Sequence, residues 1–148
     1  AMMSGHQPIV WGDGTQTRDF IFVEDVARAF KMALENDSLP TTEINLGFGV
    51  EHTFLDVIDI LKEELGVSPE PIFVDVPIQI YAIRLWADTT KAEQLLGFKP
   101  QVTLREGIRR IIQTTKELPE DLREKLALDM QQHYFEKLEK RELVRPTA

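Results

Sequence analysis

Arg18 stands where a glycine-rich turn gives way to an apolar run, in WGDGTQTRDF (residues 11–20) followed by Ile21, Phe22 and Val23. Gly12 and Gly14 open backbone angles closed to other residues and let a ligand approach the main chain. A guanidinium presents a planar fork of N–H donors that matches phosphate oxygens. The pattern therefore fits a diphosphate clamp. It also fits a hairpin turn whose arginine pairs at the surface with Asp13 or Asp19, a common arrangement that contributes little to stability. Spacing alone favours the surface pair and leaves the clamp open.

Other chemistry-bearing patterns are weaker. Gly12-Asp13-Gly14 does not match GxGxxG, and the chain has no GxxxxGK[ST] segment. His6, His52 and His133 are far apart in sequence and lack HExxH spacing, so no metal site is expected. There is no GxSxG elbow, and without cysteine there is no thiol nucleophile. Glu63-Glu64 and Arg109-Arg110 read as solvated faces of helices.

Composition narrows the class. The 148 residues are 43% hydrophobic and 28% charged, ordinary for a globular domain with its own core. A net charge of −8 argues against a nucleic-acid partner, which requires a basic footprint. The absence of cysteine fits a reducing, cytoplasmic setting. No apolar run approaches the ~20 residues of a membrane span, so no membrane partner is expected. Residues 1–6 have neither the charged nor the apolar region of a signal peptide. Ala1 ahead of Met2 reads as a cloning remnant, with the chain starting inside a longer protein.

The elements that must position Arg18 follow from periodicity. Residues 9–11 and 20–23 read as strands around the glycine turn. Glu24-Asp25 open a helix whose expected buried face is Val26, Ala27, Phe30, Ala33 and Leu34, stopped by residues 36–38 and Pro40. Residues 43–46 read as a strand closed by Gly47-Phe48-Gly49. Thr53 caps the next helix with Asp56 as its capping-box partner; Phe54, Val57, Ile58, Leu61 and Leu65 form its stripe, and Gly66 ends it. Residues 71–75 read as a strand and 76–87 as an irregular loop. Asp88 caps a short helix over 89–96, ended by Gly97. Thr103 to Glu106 is a second capping box, leading to a stripe of Ile108, Ile111 and Ile112. Pro119 starts a last helix with Leu122, Leu126, Met130, Tyr134 and Leu138 in steps of four, a packing face. The expectation is an α/β chain with a small sheet and four to five helices, divided into residues 1–118 and a helical tail, 119–148.

The order of three segments adds a resemblance. PIVWGDGTQTRDFIFVEDVARAF (8–30), EINLGFGVEHTFLDVIDIL (43–61) and WADTTKAEQLLGFKPQVTLREGIRRII (86–112) resemble, in sequence order, the C-terminal part of the extended short-chain dehydrogenase/reductases. Within them the likeness is nearest to the NAD-dependent sugar-nucleotide epimerases and dehydratases of the UDP-glucose 4-epimerase type. It covers residues 8 to 115. The resemblance implies that Arg18 binds the diphosphate of a nucleotide sugar, with Gln16 and the backbone of Val10 and Trp11 near the nucleoside or sugar. It also implies that the helix after Phe20 packs on a Rossmann half, leaving Val26, Phe30 and Ala33 without partners in the fragment. Self-association, giving a homo-oligomer, is one expected consequence.

The same resemblance marks what these residues lack. The family binds NAD through a GxxGxxG loop and moves the proton with a Tyr-xxx-Lys pair. Neither occurs here: Tyr81 and Tyr134 are the only tyrosines, and neither has lysine four residues on. The resemblance therefore implies a substrate-binding portion that is inactive alone, with NAD and catalysis belonging to the Rossmann half. Many members also carry an Arg-x-Gly-Asp segment whose arginine and aspartate hold phosphate and ribose. Those positions fall here on Ile78 and Tyr81, and Arg84 is the candidate replacement for the arginine. The rival expectation is a non-catalytic binding or assembly module on the same scaffold, which the departure favours and the intact GDGTQTRDF opposes.

Overall fold

Short strands flank the glycine turn, as the pattern of apolar runs requires. A computed structural model describes residues 2–76 and 80–126. After a single 3-10 turn at Met2–Ser4, β1 is Ile9–Trp11 and β2 is Thr17–Asp19. Then follow α1 (Val23–Leu34), β3 (Glu51–Thr53), α2 (Phe54–Leu65), β4 (Ile72–Val74), β5 (Arg84–Leu85), α3 (Thr90–Leu96) and α4 (Leu104–Glu117). Two small sheets form. β1 pairs with β4 in parallel, and β2 lies between antiparallel β3 and parallel β5. The chain is a mixed α/β fold.

Several expectations hold at the level of single residues. Thr53 caps α2 in a reciprocal capping box with Asp56, and Gly66 ends that helix in the left-handed region. Gly97 ends α3, but that helix begins at Thr90 with Thr89 as its N-cap and no side-chain cap bond, so Asp88 is not the cap; it accepts from the Thr90 amide at 3.0 Å from the position before. Thr103 accepts from the Glu106 amide, but the Glu106 carboxylate turns to Arg110 instead of completing a box.

Several expectations need correction, among them the irregular loop over 76–87, which contains β5 because Arg84 and Leu85 pair with β2. The second strand is Thr17–Asp19, not residues 20–23, because the ladder to β3 and β5 runs through Arg18. The buried face of α1 is Asp25 and Ala29, whereas Phe30 and Leu34 are 65% and 84% exposed. Ala29 joins Ala92 and Phe98 in a buried cluster flanked by Ile21, Met32, Ile44, Leu46 and Leu96, and that packing fixes the rotation of the helix. Residues 43–46 join no sheet among the described residues. Ile44 and Leu46 still face the cluster, so the segment has the alternation of a strand without a ladder partner.

Asp25 ties α1 to the segment after α3. Its Oδ2 accepts the Gln101 and Val102 amides at 2.9 Å each, and Oδ1 accepts from Arg28 at 2.5 Å. Arg28 also donates to the Lys99 carbonyl. Elsewhere α2 packs on α4, with Ile58, Ile108 and Ile112 buried. Here Glu63 and Glu64 are not merely solvated: Arg105 bridges both, and Arg109 adds a second bond to Glu64. Arg110 likewise joins Glu106 to Glu24. Residues 120–126 are helical, as Pro119 suggests. Met130, Tyr134 and Leu138 lie outside the described residues, as does Ile78.

Candidate anion and nucleotide-sugar site

The strand β2 decides what its side chains can reach. Successive residues of a strand point to opposite faces. Thr17 lies in register with Arg84, and Asp19 with Glu51, so these four share one face. Arg18 lies in register with His52 and Leu85 on the other.

On the Arg18 face, the guanidinium sits 5.8 Å from the centre of the Phe54 ring and 5.3 Å from that of Tyr81. Such contacts hold a cation's orientation without neutralising it. Its Nη1 donates to the Thr17 carbonyl at 2.7 Å. Among the described residues no carboxylate pairs with it. The two partners expected from the hairpin reading are engaged elsewhere. Asp13 accepts from the amide and hydroxyl of Thr15, and these bonds hold its carboxyl below the usual range. Asp19 accepts the backbone N–H groups of Phe48, Gly49 and Ala87. Arg18 is thus half-buried and retains donors for an external anion.

Gln16 and Trp11 build the wall beside it. Gln16 is 4% exposed; its side-chain amide donates to the Trp11 carbonyl at 2.6 Å and to the Tyr81 hydroxyl at 3.2 Å. The Trp11 and Tyr81 rings meet edge to face with centres 6.2 Å apart. Val10, next to Trp11 in β1, is buried with a methyl close to Gly14. The turn that brings these groups together depends on Gly14: its φ is +81°, and an added Cβ would lie 2.8 Å from a Leu55 methyl. An open depression of about 420 Å³ adjoins Arg18, lined also by Asp19, Asn45, Leu46, Leu85, Trp86 and Ala87.

The structure therefore brings Val10, Trp11, Gln16 and Arg18 together and separates Arg84 from them. Arg84 lies on the opposite face, in a bidentate pair with Glu51, and its guanidinium stacks on Trp86 at 4.2 Å. Arg84 and Thr17 together depress the Glu51 carboxyl, and Glu51 in turn raises the Arg84 pKa. Arg84 is thus placed across the sheet from Arg18, with Glu51 as its partner. Sequence reasoning missed Tyr81 as an organising residue, treating it only as the replacement for an aspartate. It also missed Asp19 as the anchor of two loops.

The Gly47-Phe48-Gly49 turn gives no cradle for a dinucleotide. Its Phe48 and Gly49 amides are consumed by Asp19, and a Cβ on Gly47 would collide with the Asp19 carboxylate. Among the described residues no group of three or more His, Asp or Glu side chains is arranged to hold a metal. Among the described residues no helix is long and apolar enough to cross a membrane.

This architecture corresponds to that of known proteins. The model of the GDP-mannose 4,6 dehydratase family matches residues 1–111. The chain belongs to the NAD-dependent epimerase/dehydratase family of extended short-chain dehydrogenase/reductases. A Methanocaldococcus jannaschii protein, named provisionally as a UDP-glucose 4-epimerase, is 41% identical over 78% of this chain and 36% of its own length. The UDP-glucose 4-epimerase of Thermotoga maritima, solved with UDP-glucose, is 32% identical with a TM-score of 0.70, over 78% of this chain and 38% of that one. The UDP-glucuronic acid 4-epimerase of Bacillus cereus, solved with UDP-glucuronic acid and NAD, is 33% identical with a TM-score of 0.68, over 72% of this chain and 34% of that one. The chain spans about a third of the length of the relatives it matches.

Proposed function

We propose that this chain is the nucleotide-sugar-binding portion of an NAD-dependent sugar-nucleotide epimerase of the UDP-glucose 4-epimerase type. The observation that carries the reading is Arg18, a half-buried guanidinium without a carboxylate partner among the described residues. A partly desolvated charge left unpaired costs stability unless a ligand completes it. A diphosphate suits the fork, and charge-assisted bonds to it would anchor the nucleotide while the sugar stays free to turn. Trp11, Tyr81 and Gln16 supply the neighbouring wall for the nucleoside or sugar, with Val10 next to Trp11 in β1. Arg84 contributes by fixing Glu51 and Trp86 rather than by touching phosphate.

NAD and proton transfer belong, on this reading, to a Rossmann half, and the chain alone is inactive. Val23, Phe30 and Leu34 on α1 are 70%, 65% and 84% exposed and lie on one side of the helix with Ala27. Burying an exposed Phe or Leu contributes roughly 1.5–3 kcal/mol, so this face supports docking of that half or, in its absence, self-association.

Titration calorimetry with UDP-glucose tests the proposal. Saturable binding by the wild type that Arg18→Ala abolishes supports it. Absence of binding, also after a Rossmann half is supplied, would leave the non-catalytic assembly module as the better account.

A further inference from the structure

We propose that His52 is a second contact to the anion received by Arg18, and that it takes up a proton as that anion binds. The inference rests on the diphosphate reading of Arg18 and adds a residue and a pH dependence to it.

The register places His52 directly opposite Arg18 on antiparallel strands. Residues paired in this way share a face, with Cβ atoms about 4.5–5.5 Å apart. Phe54, two residues on, has its ring against the Arg18 guanidinium, consistent with that face. His52 is half-buried, and its ring forms no hydrogen bond with a described residue. It is thus a donor-capable side chain beside a cation, and among the described residues neither has a direct carboxylate partner.

The charged surroundings are few. From β2 it faces Arg18. From the first turn of α2 it feels Asp56, whose carboxylate is already engaged by Thr53 and whose pKa is lowered by those bonds first and by His52 last. The Tyr81 hydroxyl lies beyond Arg18 and accepts from Gln16. Glu51 is on the opposite face and is taken by Thr17 and Arg84. A diphosphate seated on Arg18 brings negative charge beside the imidazole, which favours its charged form. The imidazole then gains one proton from solvent and donates an N–H to a phosphate oxygen; no covalent bond changes. Histidine is the side chain suited to such a switch near neutral pH.

The test is calorimetry with UDP-glucose between about pH 6 and pH 8, in two buffers of different ionisation enthalpy. UDP-glucose is the probe because its diphosphate diester does not titrate there. The wild type is expected to bind several-fold more tightly at the lower pH, with net proton uptake near neutrality. His52→Gln is expected to bind with a flat pH profile, no uptake and several-fold weaker affinity at about pH 6; His52→Asn serves where Gln does not fold. An unchanged pH profile and unchanged uptake in either folded variant would overturn the inference. If Arg18→Ala still abolishes binding in that case, the diphosphate reading stands without His52. No UDP-glucose binding by the wild type at any pH would overturn both.

Discussion

Replacing Asp25 by asparagine should uncouple α1 from the segment that follows α3. Asp25 is 2% exposed, and its carboxylate holds the Gln101 and Val102 amides at 2.9 Å and Arg28 at 2.5 Å. Asparagine is nearly isosteric, so the cavity term is small. Its carbonyl can still face the two amides, but as a neutral acceptor, and its NH2 would oppose the Arg28 donor. The loss of one buried ion pair and the weakening of two charge-assisted bonds amount to roughly 2–4 kcal/mol. The pH dependence has a definite sign. Burial pushes the Asp25 carboxyl up, but the Val102 amide, Arg28 and the Gln101 amide outweigh it, so its pKa lies below 3.8. A depressed carboxyl stabilises the fold above its unfolded-state value, and that contribution is lost as pH falls through the folded one. The gap between wild type and Asp25→Asn should therefore be full at neutral pH and narrow below about pH 4. Urea unfolding followed by the fluorescence of Trp11 and Trp86 measures it. A difference under about 0.5 kcal/mol at neutral pH, within the range of ordinary surface substitutions, or one that does not narrow in acid, would refute this account of Asp25.

Thr53→Ala removes the cap of α2 and should cost about 1 kcal/mol in urea unfolding; an unchanged midpoint would contradict the capping box. Gly47→Ala should destabilise the fold by about 1–3 kcal/mol, because the new methyl collides with Asp19, which is held by three backbone amides, and would lie 2.7 Å from the Ala87 Cβ. A wild-type unfolding curve would show that Asp19 is not fixed there. Phe30→Glu with Leu34→Glu should leave the stability of the chain within about 0.5 kcal/mol per site, as exposed positions do, while suppressing self-association seen by light scattering. A wild type that is already a monomer at micromolar concentration would refute the docking role of this face.

Local signals were the most legible. Thr53 with Asp56, and the glycines at 66 and 97, are written in sequence because their energetics are settled within a few residues. The rotation of α1 was not. Its residues carry apolar groups on two sides, and only the packing of Ala29 against Ala92 and Phe98, distant in sequence, selects the inner one. The alternation of residues 43–46 was legible, but a strand also needs a neighbour, and the described residues supply none. At the site, Arg18 could be picked out by type and spacing. That no carboxylate among the described residues pairs with it could not, since that depends on Asp13 and Asp19 being consumed by Thr15 and by amides 29 to 68 residues away. The opposite facing of Arg84 likewise follows from strand register, which sequence separation does not reveal.

The most direct test of the central claim observes the Arg18 side chain itself. Nitrogen-15 spectra of the arginine Nε–H groups, assigned by comparison with Arg18→Lys, would be followed as UDP-glucose is added, with uridine as the phosphate-free control. The account predicts a saturable shift of the Arg18 resonance with UDP-glucose and none with uridine, while the Arg84 resonance, held by Glu51, stays in place. An Arg18 resonance that does not respond to UDP-glucose, or responds equally to uridine, would contradict it.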